Sequence, residues 1–361
     1  MQNKYRKLLF ISMTLLVIIG IIMIYSASYI WADYKFSDAF KYVKQQLIFA
    51  CLGFIFIKIL VNINYKTFYN KSNLILLICF ILLVLVIIPG IGVIRNGSRS
   101  WFGIGSFGVQ PSEAAKLGLI IFASKYLENN NRIVKDIKKG VLPILLVTLL
   151  FFGLIMLQPD FGTGVILVMT IVLLLFVAGV DMKFFYILGA IGVVGVIGLI
   201  AIAPYRLARI TSYLNPWLDP LGSGFQIIQS LYAIGPGGLL GFGFLNSRQK
   251  HFYLPEPQTD FIFAIICEEF GVVGALVVII LFFLICYSGI KLAINEVNLF
   301  KKYLIFGVIF QMIFQTILNL SVVVGLIPVT GVTLPFISYG GSSLLISMIS
   351  IGLVLCVSRE Q

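Results

Sequence analysis

The chain has 361 residues, of which 60% are apolar and only 11% charged, and its mean hydropathy is +1.06. Soluble domains are about 45–50% apolar and about 25% charged, so this composition excludes a chain that covers itself with a water-facing surface. The formal net charge of +12 fits cations that flank membrane spans and meet anionic headgroups; no basic run is interleaved with base-stacking aromatics, so nucleic acid is not an expected partner.

At the start of the chain, Lys4, Arg6 and Lys7 precede the apolar run Leu8 to Ile24. That run is longer than the roughly 7–15 residues of a secretory signal core, and it reads as a retained first helix. Further apolar runs predict helices at about 44–61, 72–89, 112–127, 141–158, 161–180, 184–203, 260–290, 301–326 and 336–357, after a first one at about 8–30. The expected fold is all-α: a polytopic membrane protein of about ten transmembrane helices, forming one domain over residues 1–361. Lys125, Arg132, Lys135, Lys138 and Lys139 crowd one short connection, and the positive-inside bias puts it in the cytoplasm. Both termini are then cytoplasmic, and a large extracellular loop, about 204–259, joins helices 7 and 8.

The outer side receives the unusual sequence. Gly90 to Pro111 holds six glycines together with Arg95, Arg99 and Trp101. Glu113 and Lys116 follow at the start of the fourth helix, and their i, i+3 spacing puts them on one face as an ion pair. The pair is either structural, or it offers the Lys116 cation to a phosphate with Glu113 orienting it. Asp160, in Gln158-Pro-Asp-Phe-Gly-Thr163, makes a tight turn between two helices, either as a cap or as a headgroup contact. In the large loop, Phe225 to Ala233 is expected to form a short interfacial helix. Arg206, Arg209, Arg248 and Lys250 on that loop, with Arg99, are candidate phosphate ligands; contact with anionic membrane lipid is the plainer alternative. His251, the only histidine, reads as a surface residue.

Asp260 stands where the Pro-rich stretch Leu254-Pro-Glu-Pro-Gln-Thr-Asp260 turns into a helix. It is either an ordinary N-cap or a general base at the outer interface, favoured by partial desolvation. Glu268 and Glu269 lie about 12 Å deeper at 1.5 Å per residue and are expected to face the interior, paired with a donor. Gly237 to Gly243 (GGLLGFG) resembles a nucleotide loop only superficially, since no βαβ unit flanks it. The five cysteines all lie in apolar stretches without ligand spacing, so they are expected to be packing residues.

These stretches carry a resemblance. Asn96-Gly-Ser-Arg-Ser-Trp101, Gln110-Pro-Ser-Glu-Ala-Ala-Lys116, Gln158-Pro-Asp-Phe-Gly-Thr163, Ile210-Thr-Ser-Tyr-Leu-Asn-Pro-Trp217, Leu254 to Ala264 and Leu334-Pro-Phe-Ile-Ser-Tyr-Gly-Gly-Ser-Ser343 are similar, in order and over essentially the whole chain, to the SEDS family of FtsW, RodA and SpoVE. The region around 210–270 is most similar to the FtsW/SpoVE branch. The resemblance implies a peptidoglycan glycosyltransferase of the bacterial cytoplasmic membrane that polymerises lipid II at the outer face, alongside a class B penicillin-binding protein, for division or spore cortex synthesis. It makes Asp260 the essential aspartate of the large loop, Glu113 and Lys116 the polar pair of the fourth helix, and Asp160 the aspartate of the helix turn. A divalent cation, Mg or Mn, has a place in such chemistry, with no ligands singled out by the sequence. The competing functions are a lipid II flippase, for which ten helices and buried charges are also suited, and a non-enzymatic scaffold.

Overall fold

The computed structural model describes residues 2–95, 97–104, 107–202, 213–222 and 224–359. Its helices are α1 (Gln2–Phe36), α2 (Lys41–Val61), α3 (Tyr65–Ile87), α4 (Pro111–Asn129), α5 (Leu142–Met156), α6 (Phe161–Val177), α7 (Met182–Ile202), α8 (Phe225–Ile234), α9 (Ile262–Ile294), α10 (Leu299–Val323) and α11 (Gly341–Val357). Among the described residues six helical stretches are long and apolar enough to cross a membrane, and α6, α11 and the Met182–Gly195 part of α7 are shorter apolar helices. The main packing pairs are α2 on α11, α1 on α9, α3 on α4 and α9 on α10. The short helix expected at Phe225 to Ala233 is present as α8; it buries Ile227, Ile228 and Ala233, and its Ser230 hydroxyl donates to the Val323 carbonyl, 2.7 Å away.

Three features depart from the sequence expectation. The all-α reading misses a small antiparallel sheet in the glycine-rich segment, β1 (Val93–Arg95), β2 (Ser98–Ile104) and β3 (Phe107–Val109). Val93 pairs with Trp101 and Phe102 with Val109; β1 and β3 have three residues each, and β2, Ser-Arg-Ser-Trp-Phe-Gly-Ile, does not alternate apolar with polar, so the strand signal is missing. The last helix begins at Gly341, not near 336. Apolar residues alone suggested the earlier start, but Pro335 and the left-handed Phe336 (φ 66°) keep the chain out of a helix there.

The third departure is a break inside α9. Gly271 has φ 62° and ψ −155°, a conformation that essentially only glycine adopts. Four backbone groups that an unbroken helix would pair internally are instead taken up by the GGLLGFG segment. Phe242 N–H donates to the Glu268 carbonyl (3.0 Å) and Gly243 N–H to the Glu269 carbonyl (2.9 Å), while Val272 and Val273 donate to the carbonyls of Gly238 and Leu239 at 3.0 and 3.2 Å. The glycines are there because the two backbones touch: a Cβ on Gly241 would lie 2.2 Å from the Glu269 carbonyl carbon, and one on Gly271 would lie 2.5 Å from that of Leu239. A motif that looks like a phosphate cradle is a splice into a broken helix.

Helix α7 stands apart. Phe176 and Phe185 meet edge-on at 5.7 Å near its start, and Phe184 is buried. Further along, Ile187, Ile191, Val193 and Val194 are exposed, and Gly189, Gly192 and Gly195 have open space where a side chain would begin.

Gly271→Ala should lower the thermal midpoint in detergent by the equivalent of about 1–3 kcal/mol, the usual cost of a forced backbone conformation. Gly189→Ala, in a helix and facing open space, should leave the midpoint unchanged or raise it. Equal midpoints for the two variants would refute the splice.

Candidate functional site

The polar residues singled out by the sequence converge at one end of the bundle, where α4, α6 and α11 begin, α10 ends, and the segment before α9 arrives. Helix α4 starts with Pro111 at its first position and Glu113 in its first turn, both favoured there by the fixed proline φ and by the helix dipole. One turn on, the Lys116 ammonium donates to Glu113 Oε1 at 2.9 Å and to Gln315 Oε1 on α10, also at 2.9 Å. Side-chain exposure is 1% for Lys116 and 7% for Glu113. As placed, the ammonium serves Glu113 and Gln315, so the pair expected from spacing forms but does not face an open cleft.

Gln315 and Asn319, one turn apart on α10, are the residues that sequence reasoning missed. Gln315 Nε2 donates to the Thr333 carbonyl at 3.0 Å. Asn319 Nδ2 donates both to the Val332 carbonyl (2.8 Å) and to the Asp260 carbonyl (2.7 Å). A continuous hydrogen-bonded line therefore runs from Glu113 through Lys116, Gln315, the extended 332–333 backbone and Asn319 to the peptide of Asp260. Three carboxamides at i, i+4 and i+8 on a mostly apolar helix, Gln311, Gln315 and Asn319, were the available signal, since a buried amide must find partners.

Asp160 joins from a third direction. It caps α6 by accepting from the Thr163 N–H at 3.1 Å, and its other oxygen accepts from Gln110 Nε2 at 2.8 Å. Burial pushes its carboxyl above the ordinary carboxylate range; its Thr163 hydrogen bonds oppose this, and the charges of Glu113 and Lys116 act on it from nearby. The α6 start touches the same extended segment, for a Cβ on Gly162 would lie 2.5 Å from the Val332 side chain.

Asp260 is half-buried and precedes the α9 N-cap, which is Phe261; its Oδ1 accepts from the Thr259 hydroxyl at 2.8 Å. Two residues before it, the Gln258 carbonyl accepts from Tyr339 N–H at 2.8 Å. Burial pushes the Tyr339 phenol up to about 12, with the Arg95 charge pulling the other way. Arg95 lies 5.3 Å from the centroid of the Trp101 ring. The small sheet thus brings a guanidinium towards the Asp260 segment, on a residue the phosphate-ligand reading passed over in favour of Arg99. Arg99 lies half-buried on β2, paired with Ile94.

The remaining candidates fall elsewhere. Arg206 and Arg209 lie outside the described residues. Arg248 is exposed, stacks on Phe242 at 4.7 Å and lines a surface cavity of about 490 Å³ with Asn246, His251 and Tyr253. Lys250 is buried, its ammonium donating to Glu269 at 2.8 Å, and the donor expected for Glu269 is thereby found. Among the described residues no three His, Cys, Asp or Glu converge as a metal cage. Of the carboxylates at this end, Glu113 and Asp160 already accept from Lys116, Gln110 and Thr163, and Asp260 Oδ1 accepts from the Thr259 hydroxyl. This donor set does not fit a protein-held Mg or Mn ion.

Buried polar atoms around this end with no hydrogen-bond partner among the described residues include Ser112 Oγ, Gln158 Oε1, Gln258 Oε1, Asn319 Oδ1 and Thr330 Oγ1. Leaving such groups unpaired is costly, about 1–3 kcal/mol each.

A family model described as "Cell cycle protein", covering FtsW, RodA and SpoVE, matches residues 6–361. The chain belongs to this FtsW/RodA/SpoVE family. It is 52% identical over 352 residues to "Stage V sporulation protein E" of Bacillus subtilis, covering 98% of the chain and 96% of that relative. It is 40% identical to the "Probable peptidoglycan glycosyltransferase FtsW" of Coxiella burnetii, covering 96% and 94%. Among solved structures, a chain described under "Structural coordination of polymerization and crosslinking by a peptidoglycan synthase complex" superposes with TM-score 0.80 at 31% identity, covering 97% and 96%. Thermus thermophilus "Rod shape determining protein RodA" does so with TM-score 0.71 at 28%, covering 97% and 95%. This SEDS protein is a multi-pass protein of the cytoplasmic membrane.

Lys116→Met should strand a buried Glu113 and destabilise the fold by about 3–5 kcal/mol, whereas Lys116→Met with Glu113→Gln should cost clearly less. Thermal unfolding in detergent measures both. A double variant no more stable than Lys116→Met would contradict a tight, buried pair.

Proposed function

We propose that this chain is a peptidoglycan glycosyltransferase that polymerises lipid II at the outer face of the cytoplasmic membrane, with Asp260 as general base. The supporting observation is the placement of Asp260. It is a half-buried carboxylate at the end of the bundle where α4, α6 and α11 begin, its backbone carbonyl held by Asn319 and its Oδ1 accepting from the Thr259 hydroxyl. The reaction class is that of the FtsW relatives, named as probable peptidoglycan glycosyltransferases. The cation-rich connection Lys125 to Lys139 lies at the opposite end of the bundle from Asp260, Asp160 and the small sheet. With that connection cytoplasmic, the site faces outward, both termini are inside, and the ten longer helices are the spans of one transmembrane domain.

In the reaction the 4-hydroxyl of an acceptor GlcNAc attacks the anomeric carbon of the donor MurNAc. Undecaprenyl diphosphate departs and the configuration inverts. Asp260 takes the hydroxyl proton, a contribution typically of ~10²–10⁴-fold. The diphosphate gathers charge as it leaves, and cations on the outer elements stabilise it: Arg95 and Arg99 from the sheet, Arg248 from the loop, and Arg206 and Arg209 of the same loop. Glu113 and Lys116, buried and mutually paired, act by fixing α4 against α10 and hence the 332–333 segment, rather than by touching phosphate. Asp160 caps α6, whose Gly162 packs on the same segment. The leaving group needs little protonation, so a second carboxylate at glycosidase spacing is not required. Lipid tails reach the site beside α7, whose described outer stretch is bare. A class B penicillin-binding protein is the proposed partner, in keeping with the solved complex that couples polymerization to crosslinking.

The flippase reading requires a polar path through the bilayer. The five buried charged residues among those described, Glu113, Lys116, Lys250, Glu268 and Glu269, all lie in the outer part of the bundle, which favours chemistry at one face.

Asp260→Asn, reconstituted with its penicillin-binding protein partner and supplied with lipid II, should lose polymerisation by about 10²-fold or more while its thermal midpoint stays near that of the native chain. Glycan strands made at the native rate would remove Asp260 from the base role.

A further inference from the structure

We propose that Lys250, Glu268 and Glu269 are positioning residues for Asp260. They form a buried latch that locks the far end of the Asp260-bearing segment onto the same half-helix that Asp260 precedes. The inference rests on the glycosyltransferase reading for its kinetic consequence but not for its structural one.

The break at Gly271 leaves Ile262 to Phe270 as a separate nine-residue rod, about 13 Å long at 1.5 Å per residue. Asp260 arrives at one end of it. At the other end the two adjacent carboxylates seize residues 247–250. Glu268 accepts from the Ser247 hydroxyl (2.5 Å) and from the N–H groups of Arg248 (2.8 Å) and Gln249 (3.4 Å). Glu269 accepts from Lys250 Nζ (2.8 Å), from Ser247 N–H (3.2 Å) and from the Ser26 hydroxyl of α1 (2.6 Å). Lys250 Nζ also donates to Ser26 Oγ at 3.2 Å. The Lys250 and Glu269 side chains are both 0% exposed.

Two neighbouring carboxylates with one ammonium, paired to Glu269, are an expensive thing to bury, and they are tolerable only because backbone and hydroxyl donors complete their coordination. Apolar residues would serve stability as well or better at such a position. What the ionic arrangement adds is register: three consecutive backbone N–H groups can meet these carboxylates in one alignment only. Residues 251–259 are therefore a closed bridge between two anchors on one rigid rod. The bridge holds two left-handed non-glycine residues, Phe252 (φ 66°) and Glu256 (φ 44°), conformations that persist where surrounding contacts over-determine them. Released at 250, the segment would hang from its 260 end alone, and the carboxylate at that end would lose its aim. Through Ser26 the latch also ties the position of α1 to the site.

The test compares native protein with Lys250→Met, Lys250→Arg and the double variant Lys250→Met/Glu269→Gln, in proteoliposomes with lipid II and by hydrogen exchange. Lys250→Met should lower kcat between about ten- and 10²-fold, the scale set by small misplacements of a reacting group, with KM for lipid II changed less than about twofold. It should also speed exchange in residues 251–262. Lys250→Arg and the charge-balanced double variant should each recover part of the lost kcat. If Lys250→Met does not purify as a folded protein, Ser26→Ala is read by the same measures, with the same signs expected. Native kcat in a folded latch variant overturns the proposal, as does a raised KM with kcat intact, which would make Lys250 a substrate contact. An inactive native chain would instead remove the glycosyltransferase reading; the latch then stands or falls on exchange, and equal protection of 251–262 in native and variant protein overturns it.

Discussion

The arrangement depends on one constraint: two carboxamides on α10 must satisfy the backbone of an extended segment inside a membrane bundle. Residues 330–333 belong to no helix or strand. Without water, each unpaired carbonyl or N–H would cost several kcal/mol on the hydrocarbon scale. Gln315 and Asn319 take up the Thr333 and Val332 carbonyls, and with their remaining hydrogen bonds they reach Lys116 on one side and the Asp260 peptide on the other. Irregular backbone at this depth is tolerated where protein surrounds it, and the same contacts make it a ruler between α4, α6 and α9.

The second device is the broken helix. An intact α9 would place Glu268 and Glu269 in an apolar wall. The Gly271 break lets the glycine splice and residues 247–250 approach, so that the large outer loop is fastened at several points instead of hanging from its ends. Chemistry and anchoring are thus kept on separate residues: the half-exposed Asp260 at the rim, and fully engaged charges, Lys250 and Lys116, behind it. Lys116 and Lys250 carry the same charge as Arg248, yet burial and pairing assign them to architecture.

Much of this was legible in the sequence because it follows from strong, local physics. Apolar runs locate helices, an i, i+3 acid–base pair meets on one face, and a Pro-Asp turn caps the helix after it. The ordered motifs around Glu113, Asp160 and Asp260 pointed to the family for the same reason. The rest depends on long-range contact. Nothing local in GGLLGFG says that it inserts into a helix some thirty residues later. Nothing in Gln315 or Asn319 names the carbonyls they will meet. The sheet at Val93 to Val109 is held by neighbours, with Ser98 donating to the Gln158 carbonyl, rather than by strand propensity. Arg95 and Arg99, two positions either side of a turn, look alike in sequence and differ only in what the sheet turns them towards.

The central claim is that Asn319 sets the position of Asp260, and turnover of Asn319→Ala, expressed per folded molecule in proteoliposomes with lipid II, tests it most directly. The expected kcat is at least about ten-fold below native, in the range found when a reacting group is misplaced, with lipid II KM nearly unchanged. A folded Asn319→Ala protein with native kcat would show that the carboxamide line does not govern the site, and the account would fail with it.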